Sequence, residues 1–337
     1  MSERAIHLGL LISALALTGW VFGAHHSGSH PASGSALSAT SEQLSPLALI
    51  PPGSAFVLSA DLRQLEHAPL GLLLAQRLGH VGSAGQLAQL CGFDPLARLD
   101  QLALAVPSAG LAAQEHPEDF GIVASGQFSA TEIVHCATAA ISARGGEAIQ
   151  TQLGRFSSVR DRKTSGGEVA AKDGGLLIVS GGSYFRELLD AAEGNAAQRE
   201  RPDARDARHA ELRKTLGAAP LLATWLLGEG WFERVTGDGT NPRLSPLGAL
   251  KAVGARIDVD RAAHLSVLLE CADSEGASGV SNLLTHLRAS LDAMLVDPAL
   301  STLAKRITVS QTGARLKLTL DIEQAELTPL LDHLLGP

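Results

Sequence analysis

The sequence predicts an α+β protein built from two similar repeats, each a mainly antiparallel sheet with helices packed on one face, preceded by an N-terminal membrane helix. The strand, turn and helix pattern of residues 119–146 returns at residues 264–291, which suggests an internal duplication. A shift of 143 positions places Ile122 on Leu265 and aligns the apolar positions of the two helices. Short glycine-rich turns join many consecutive strands, and strands joined in this way are antiparallel.

The N-terminal region predicts a membrane segment and a tether. Residues 5–24 contain no Asp, Glu, Lys or Arg, and a helix of this length spans about 30 Å, the thickness of a bilayer core. We therefore expect residues 1–24 to be a signal anchor in the inner membrane, with Arg4 in the cytoplasm and the domain outside. The alternative is a signal peptide cleaved before Ala24, which would give a secreted protein. Residues 25–45 are rich in Ser, Gly and His and predict a flexible linker.

The first repeat is expected at residues 46–194. Apolar runs predict its strands, and helical spacing after a capping residue predicts its helices. The strands are predicted at 54–60, 99–106, 120–128, 156–161, 168–172 and 176–180, and the helices at 62–74, 131–144 and 183–192. Ser129 and Glu132 have the spacing of a capping box at the start of the second helix, which Gly145 is expected to end.

A charged connector at residues 195–214 separates the repeats, and we interpret it as a solvated linker running into a helix. The second repeat follows at residues 215–337. Its strands are predicted at 220–227, 250–257, 264–271, 307–310 and 314–322, and its helices at 230–235, 275–294 and 325–335.

Three stretches carry a resemblance to known proteins: "IPPGSAFVLSADLRQL", "CGFDPLARLDQLALAVP" and "DFGIVASGQF". With them, most of residues 46–335 resembles an uncharacterised family of exported bacterial proteins. The resemblance implies an exported location, and it implies neither an activity nor site residues.

Composition argues against nucleic-acid binding. The formal net charge is -8, so the chain offers no electrostatic attraction to a phosphate backbone. Aromatic residues make up only 4%, whereas hydrophobic residues make up 45%, which predicts an aliphatic core.

The three cysteines, Cys91, Cys136 and Cys271, show none of the paired spacings of zinc or iron–sulfur sites. One pair could form a disulfide in an oxidising compartment, and the sequence does not choose among the three pairings. We expect buried free cysteines.

The chain contains no recognisable catalytic, nucleotide or metal motif, so we expect no cofactor, no metal site and no enzymatic activity. Glu132, His135 and Cys136 are adjacent on one predicted helix, and we interpret them as a cap and helix-surface residues. The pairs Asp61 with His67 and Asp332 with His333 are interpreted in the same way. The cluster His25, His26 and His30 lies in the linker and would bind metal only adventitiously.

The residues predicted to contact a partner or ligand are Trp225, Trp231 and Phe232, which cluster around Gly228 to Gly230. The leading hypothesis is a non-enzymatic, membrane-tethered envelope protein that acts as a protein-interaction or assembly module. The alternative is binding of an apolar small molecule or lipid between the repeats. A third possibility is a hydrolase without a recognisable motif.

Overall fold

The protein is built around one antiparallel sheet. The computed structural model describes residues 45–68, 71, 84–107, 119–164, 167–182, 184–194, 204–236, 242–294 and 298–326. Within these ranges the strands are β1 Ser54–Asp61, β2 Leu99–Pro107, β3 Gly121–Gly126, β4 Ala148–Leu153, β5 Phe156–Asp161, β6 Glu168–Lys172, β7 Leu176–Ser180, β8 Leu221–Leu226, β9 Leu250–Val259, β10 Ala262–Cys271, β11 Thr308–Thr312 and β12 Arg315–Glu323.

Helices lie between these strands. The α-helices are α1 Leu62–His67, α2 Ala84–Cys91, α3 Ala130–Ala143, α4 Tyr184–Glu193, α5 Ala204–Leu216, α6 Trp231–Thr236, α7 Ser274–Met294 and α8 Pro298–Arg306. In the described part of the chain, 3-10 helices are found at Pro46–Leu49, Leu96–Arg98 and Pro242–Ala249.

All twelve strands belong to a single sheet, in the order β11-β12-β10-β9-β8-β1-β2-β3-β7-β6-β5-β4. The predicted antiparallel pairing is confirmed, because every neighbouring pair runs antiparallel. The prediction of a separate sheet in each half is wrong. Strand β1 pairs with β8, from Phe56 opposite Trp225 to Ala60 opposite Leu221, and this pairing makes one sheet of the two.

Helices cover both faces of the sheet, so the prediction of helices on one face is also wrong. We name the faces after adjacent residues of β1, the Phe56 face and the Val57 face. Helices α1, α3 and α7 pack on the Phe56 face, and helices α4 and α5 pack on the Val57 face. The run of apolar residues in β1, from Ala55 to Leu58, explains why helices cover both faces, because such a run is typical of a strand buried on both sides.

Helix α3 begins as the capping-box spacing predicts. The Ser129 hydroxyl accepts the backbone N–H of Glu132 at 3.2 Å, and the Glu132 carboxylate accepts the backbone N–H of Ser129 at 2.8 Å. Gly145, with φ of 78°, follows the end of the helix. The local sequence therefore fixes both ends of α3.

Helix α5 occupies the second part of the predicted connector, where the linker was expected to run into a helix, and it packs against β8 and β9. Its Leu212 and His209 are 1% and 6% exposed. These residues give the charged stretch a buried side, so α5 belongs to the folded domain. Residues 195–203 lie outside the described residues.

Cys91 and Cys136 form a disulfide that joins the end of α2 to the middle of α3. The expectation of three buried free cysteines is therefore wrong for this pair, whose Cα atoms lie 4.2 Å apart. Cys271 is free and buried, and burial raises the pKa of its thiol.

Strand β4 was not predicted. It forms a hairpin with β5 across Gly154, whose φ is 57°, and pairs from Ala148 opposite Asp161 to Leu153 opposite Phe156. Its sequence, Ala-Ile-Gln-Thr-Gln-Leu, carries too few large apolar residues to give a strong strand signal. The predicted strands of the next hairpin, β6 and β7, are confirmed.

No helix within the described ranges is long and apolar enough to cross a bilayer. The predicted membrane segment, nearly all of the linker and the histidine cluster fall in residues 1–44, outside the described residues. Asp332 and His333 also lie outside them. These predictions remain predictions.

Candidate functional site

The Phe56 face carries a continuous row of apolar side chains across eleven strands. Each residue of this row is the register partner of the next, so the row follows directly from the strand pairing. From β5 to β11 the apolar row consists of Val159, Val169, Val179, Ile122, Leu104, Leu58, Ala223, Ala255, Val267, Leu318 and Val309.

Most of the apolar row is only half-buried. Val159 and Leu58 are 1% and 7% exposed, whereas the other nine residues are partly accessible to solvent. The next row toward the start of β1 is also apolar and contains Val106, Phe56, Trp225, Val253 and Leu269, all partly accessible. Partly accessible apolar side chains therefore run across the middle of the sheet.

The Val57 face differs from the Phe56 face in this respect. Its apolar side chains on the same strands are buried beneath α4 and α5, as Val123, Ile178, Leu222 and Leu268 illustrate. A contiguous, partly exposed apolar surface on a folded protein commonly marks an interaction site. The Phe56 face is therefore the candidate site.

The predicted contact residues are divided between this face and the core. Trp225 lies on the Phe56 face, opposite Phe56 of β1 and Val253 of β9. Trp231 begins α6, and its indole Nε1–H donates to the carbonyl of Leu250 at 3.0 Å. Trp225 and Trp231 pack against the same core cluster and remain partly accessible.

Phe232 is 5% exposed and packs edge-to-face on Trp231, with ring centroids 5.8 Å apart. The structure thus brings the two tryptophans to one cluster, whereas Phe232 is buried beside them. A role of the three residues in ligand contact remains a prediction.

The residues Glu132, His135 and Cys136 form no catalytic or metal site. Glu132 caps α3 and forms an ion pair with Arg98 at 2.7 Å, Cys136 is in the disulfide, and the His135 side chain is exposed. Among the residues that the structure describes, no group of three or more His, Cys, Asp or Glu could hold a metal ion.

An open polar cleft of about 630 Å³ lies beside the start of α1. It is lined by Asp61, Arg63, Gln64, His67, Asp100, Gln101 and Ser125. Arg63 binds Asp100 through two hydrogen bonds of 2.6 and 2.8 Å, and Asp61 accepts the backbone N–H of Gln64. His67 Nδ1 donates to the carbonyl of Arg63 at 2.7 Å. These contacts are structural, and they include no nucleophile held by a base.

A buried polar network connects both halves on the Val57 face. The Nε2–H group of His209 donates to the carbonyl of Ser54 at 2.9 Å, and Nδ1 lies 2.7 Å from the Thr224 hydroxyl. The Ser54 hydroxyl contacts the Tyr184 hydroxyl and donates to Pro51 O at 2.9 Å. His209 thus meets the backbone of Ser54 and not its hydroxyl, so this Ser and His do not form a nucleophile–base pair.

A second polar cluster on the same face ties α5 to β10 and β12. Arg208 binds the buried carboxylate of Glu270 at 2.6 Å, and Arg315 contacts both Glu270 and Glu211. Oε2 of Glu270 is buried without a hydrogen-bond partner. Sequence inspection did not find either network, because its members lie far apart in the chain or in a charged stretch without a motif.

Comparison with known proteins finds a likeness in fold alone. No protein-family model matches the chain, and no curated protein matches it in sequence. Crystal form III of TP0453 matches with a TM-score of 0.50 and 12% identity, covering 87% of this chain and 100% of that one. Crystal form IV matches with a TM-score of 0.48 and 12% identity, covering 85% of this chain and 96% of that one. At this identity the match with form III shows a likeness in fold alone.

Proposed function

We propose that this chain is a non-enzymatic protein of the bacterial cell envelope that binds a partner protein on the Phe56 face of its sheet. The observation that carries the proposal is the apolar row, whose residues are partly accessible to solvent on both sides of the β1–β8 pair. Burying apolar surface gains about 25 cal/mol per Å². Covering this face would therefore drive association without any specific chemistry at the site.

The two tryptophans indicate where on the Phe56 face binding is expected to centre, namely at β8 and β9 in the second half of the chain. Trp225 and Trp231 are partly accessible and are held by the core beneath them. Large aromatic side chains on a rigid base lose little entropy on binding and dominate many interfaces. Phe232 supports them from the core.

Two observations support a location outside the cytoplasm. Disulfides persist in oxidising compartments such as the periplasm, and the chain contains the Cys91–Cys136 bridge. Residues 5–24 have the length and composition of a membrane anchor or signal. The anchor, its retention and the tether belong to the proposal.

The absence of enzymatic activity is also part of the proposal. Four polar side chains of the cleft beside α1 are engaged: Arg63 and Asp100 form an ion pair, Asp61 caps the helix, and His67 bonds to a backbone carbonyl. The Ser54–His209 contact is buried and has the wrong atom facing the imidazole.

A second candidate function is binding of an apolar small molecule or lipid on the same face. Its support is the aliphatic character of the apolar row, which offers almost no hydrogen-bonding groups. Helices α1, α3 and α7 stand on this face and would border a ligand lying across it. Aliphatic surfaces bordered in this way suit acyl chains.

We also propose that the two halves arose by duplication. Outward from the β1–β8 pair, β1 is followed by β2, β3 and a hairpin strand, and β8 is followed by β9, β10 and a hairpin strand. Ile122 and Leu265, aligned by the sequence echo, lie on the same face. In the proposal each half contributes one side of the binding surface.

A charge on the apolar row tests the function. Val267→Asp places a carboxylate at a partly buried position of the row. A bound partner would remove water from this carboxylate, which opposes binding. Ser266→Asp is the matched control, because it adds the same charge at the next position of β10, on the Val57 face. We expect Val267→Asp to reduce partner recovery at least tenfold and Ser266→Asp to retain it.

The measurement is affinity capture of the full-length chain from solubilised membranes, with mass spectrometry of both proteins and lipids. Circular dichroism verifies folding, and Leu104→Asp repeats the test in the first half. If Val267→Asp and Leu104→Asp lose a protein companion while lipid recovery is unchanged, the leading proposal is supported. If they lose a lipid while protein recovery is unchanged, the alternative is supported. Equal recovery by all variants, or no specific companion, would refute both.

A further inference from the structure

Strand β4 lies at one end of the sheet, and none of the described residues bonds to its outer edge. The backbone N–H of Arg162 donates to the carbonyl of Glu147 at 2.8 Å. The backbone N–H and C=O groups of the odd-numbered residues of β4 therefore point toward β5. Backbone groups alternate in direction along an antiparallel strand. The N–H and C=O groups of Ala148, Gln150 and Gln152 therefore point away from the sheet, and no described residue bonds to them.

The sequence of β4 lacks the features that usually protect an edge. The strand contains no charged residue and no proline, and its register with β5 runs without a bulge through all six residues. Gln150, Thr151 and Gln152 are exposed. Natural sheets commonly block their edges with lysine, proline or a bulge, because a regular free edge pairs with other strands.

Strand β11, at the opposite end of the sheet, is guarded by α7. Arg288 of α7 donates to the carbonyl of Ile307, just before β11, at 3.1 Å. The side chain of Gln311 donates to the carbonyl of Ser274 at 3.1 Å and contacts Ser278. On β4, by contrast, Gln150 bonds to Thr138 of α3, and within the described part of the chain nothing bonds to the outward backbone groups. The two ends are therefore not equivalent.

We propose that β4 pairs antiparallel with β4 of a second copy of this chain, around a two-fold axis at Gln150. In this register Gln150 lies opposite itself, and Ala148 lies opposite Gln152 of the second copy. The outward groups of both strands then form about six backbone hydrogen bonds. The two sheets become one continuous sheet across the dimer.

The strand suits a second copy because it is self-complementary. Ile149 lies opposite Thr151 of the second copy, and pairs of β-branched residues are favourable across strands. The Gln150 amides can bond to each other, since an amide both donates and accepts. No like charges lie opposite one another within β4, because the strand carries none. Such an isologous contact closes after two copies.

Matched substitutions at the two edges test this pairing. Gln150→Lys places two positive charges opposite one another on the dimer axis, whereas Gln311→Lys adds the same charge at an outward position of β11. Analytical ultracentrifugation of the full-length chain in mild detergent should show a dimer. We expect Gln150→Lys to raise the dimer dissociation constant at least tenfold and Gln311→Lys to leave it unchanged.

A cysteine pair reports the register directly. Opposite residues that exchange hydrogen bonds have Cα atoms about 5.5 Å apart, within the range of a disulfide. Gln150→Cys should form a cross-linked dimer under oxidation, and Gln311→Cys should not. A wild-type chain that stays monomeric, equal cross-linking at both positions, or a cross-link to a different protein would overturn the proposal. Val267→Asp should leave the dimer intact, so this result is separate from that for the Phe56 face.

Discussion

Glu132 illustrates how one residue joins local and tertiary structure. Two hydrogen bonds lower the pKa of the Glu132 carboxyl group. One comes from the backbone N–H of Ser129, the residue that caps α3, and the other from the side chain of Arg98. The cap was predictable because Ser129 and Glu132 lie within one turn. The ion pair was not, because Arg98 is 34 residues away and reaches Glu132 only after β2 and β3 have paired.

Substitution of Glu132 should affect stability in a pH-dependent way. A carboxyl group whose pKa is lowered by folding stabilises the native state above its unfolded pKa, and this contribution is lost as the pH falls through the folded pKa. We expect Glu132→Gln to lower the free energy of unfolding by about 1 kcal/mol at pH 7, since the pair is partly exposed. The difference should shrink on going from pH 5 to pH 3.

Urea unfolding at pH 7, 5 and 3 measures this effect. Glu275→Gln is the control, because Glu275 also lies in the first turn of a long helix, where the sequence echo places it. A deficit for Glu132→Gln that is equally large at all three pH values would contradict the assignment.

The Cys91–Cys136 bridge is the main covalent link between elements. It closes a 45-residue segment that contains β2, β3 and half of α3. Sequence inspection left all three pairings open, because pairing depends on how α2 docks on α3. Spacing along the chain contains no information about that packing.

Removal of the bridge should destabilise the first half of the chain. We expect Cys91→Ala with Cys136→Ala to lower the free energy of unfolding by about 2–4 kcal/mol, mainly because the unfolded chain gains freedom. Denaturant unfolding of the full-length chain measures the loss, and Cys271→Ala is the control without a bridge. Non-reducing mass spectrometry should find only Cys271 as a free thiol in the wild type. A stability loss no larger than that of Cys271→Ala would argue against the bridge.

The β1–β8 pair joins the two halves of the chain in one sheet. The sequence predicted most strands and their hairpin partners, because those contacts are local. It did not predict the union of the halves, which depends on Phe56 meeting Trp225 far along the chain. It also did not predict the apolar row of the candidate site, since the row exists only once eleven strands are in register.

Ala223→Pro should therefore disturb both halves. Proline in a central strand removes a ladder hydrogen bond, and we expect hydrogen exchange of β3 and β10 to accelerate together. Gln311→Pro is the control, because the N–H of Gln311 points away from β12, and only β11 and the start of α7, which the Gln311 side chain contacts, should respond. Exchange measured by mass spectrometry distinguishes these outcomes. Protection of β3 that survives while β10 exchanges would indicate two independent domains.

The position of β8 in the chain also determines how long β1 lacks its second partner strand during synthesis. Strand β1 ends at Asp61 and β8 begins at Leu221, so about 160 residues are made between them. At roughly 5–20 residues per second, ribosomal synthesis leaves β1 with one free edge for about 8–30 s. During that interval the newly made half exposes an apolar strand in the middle of its future sheet. Protection of the nascent chain is thus most needed before Leu226 emerges.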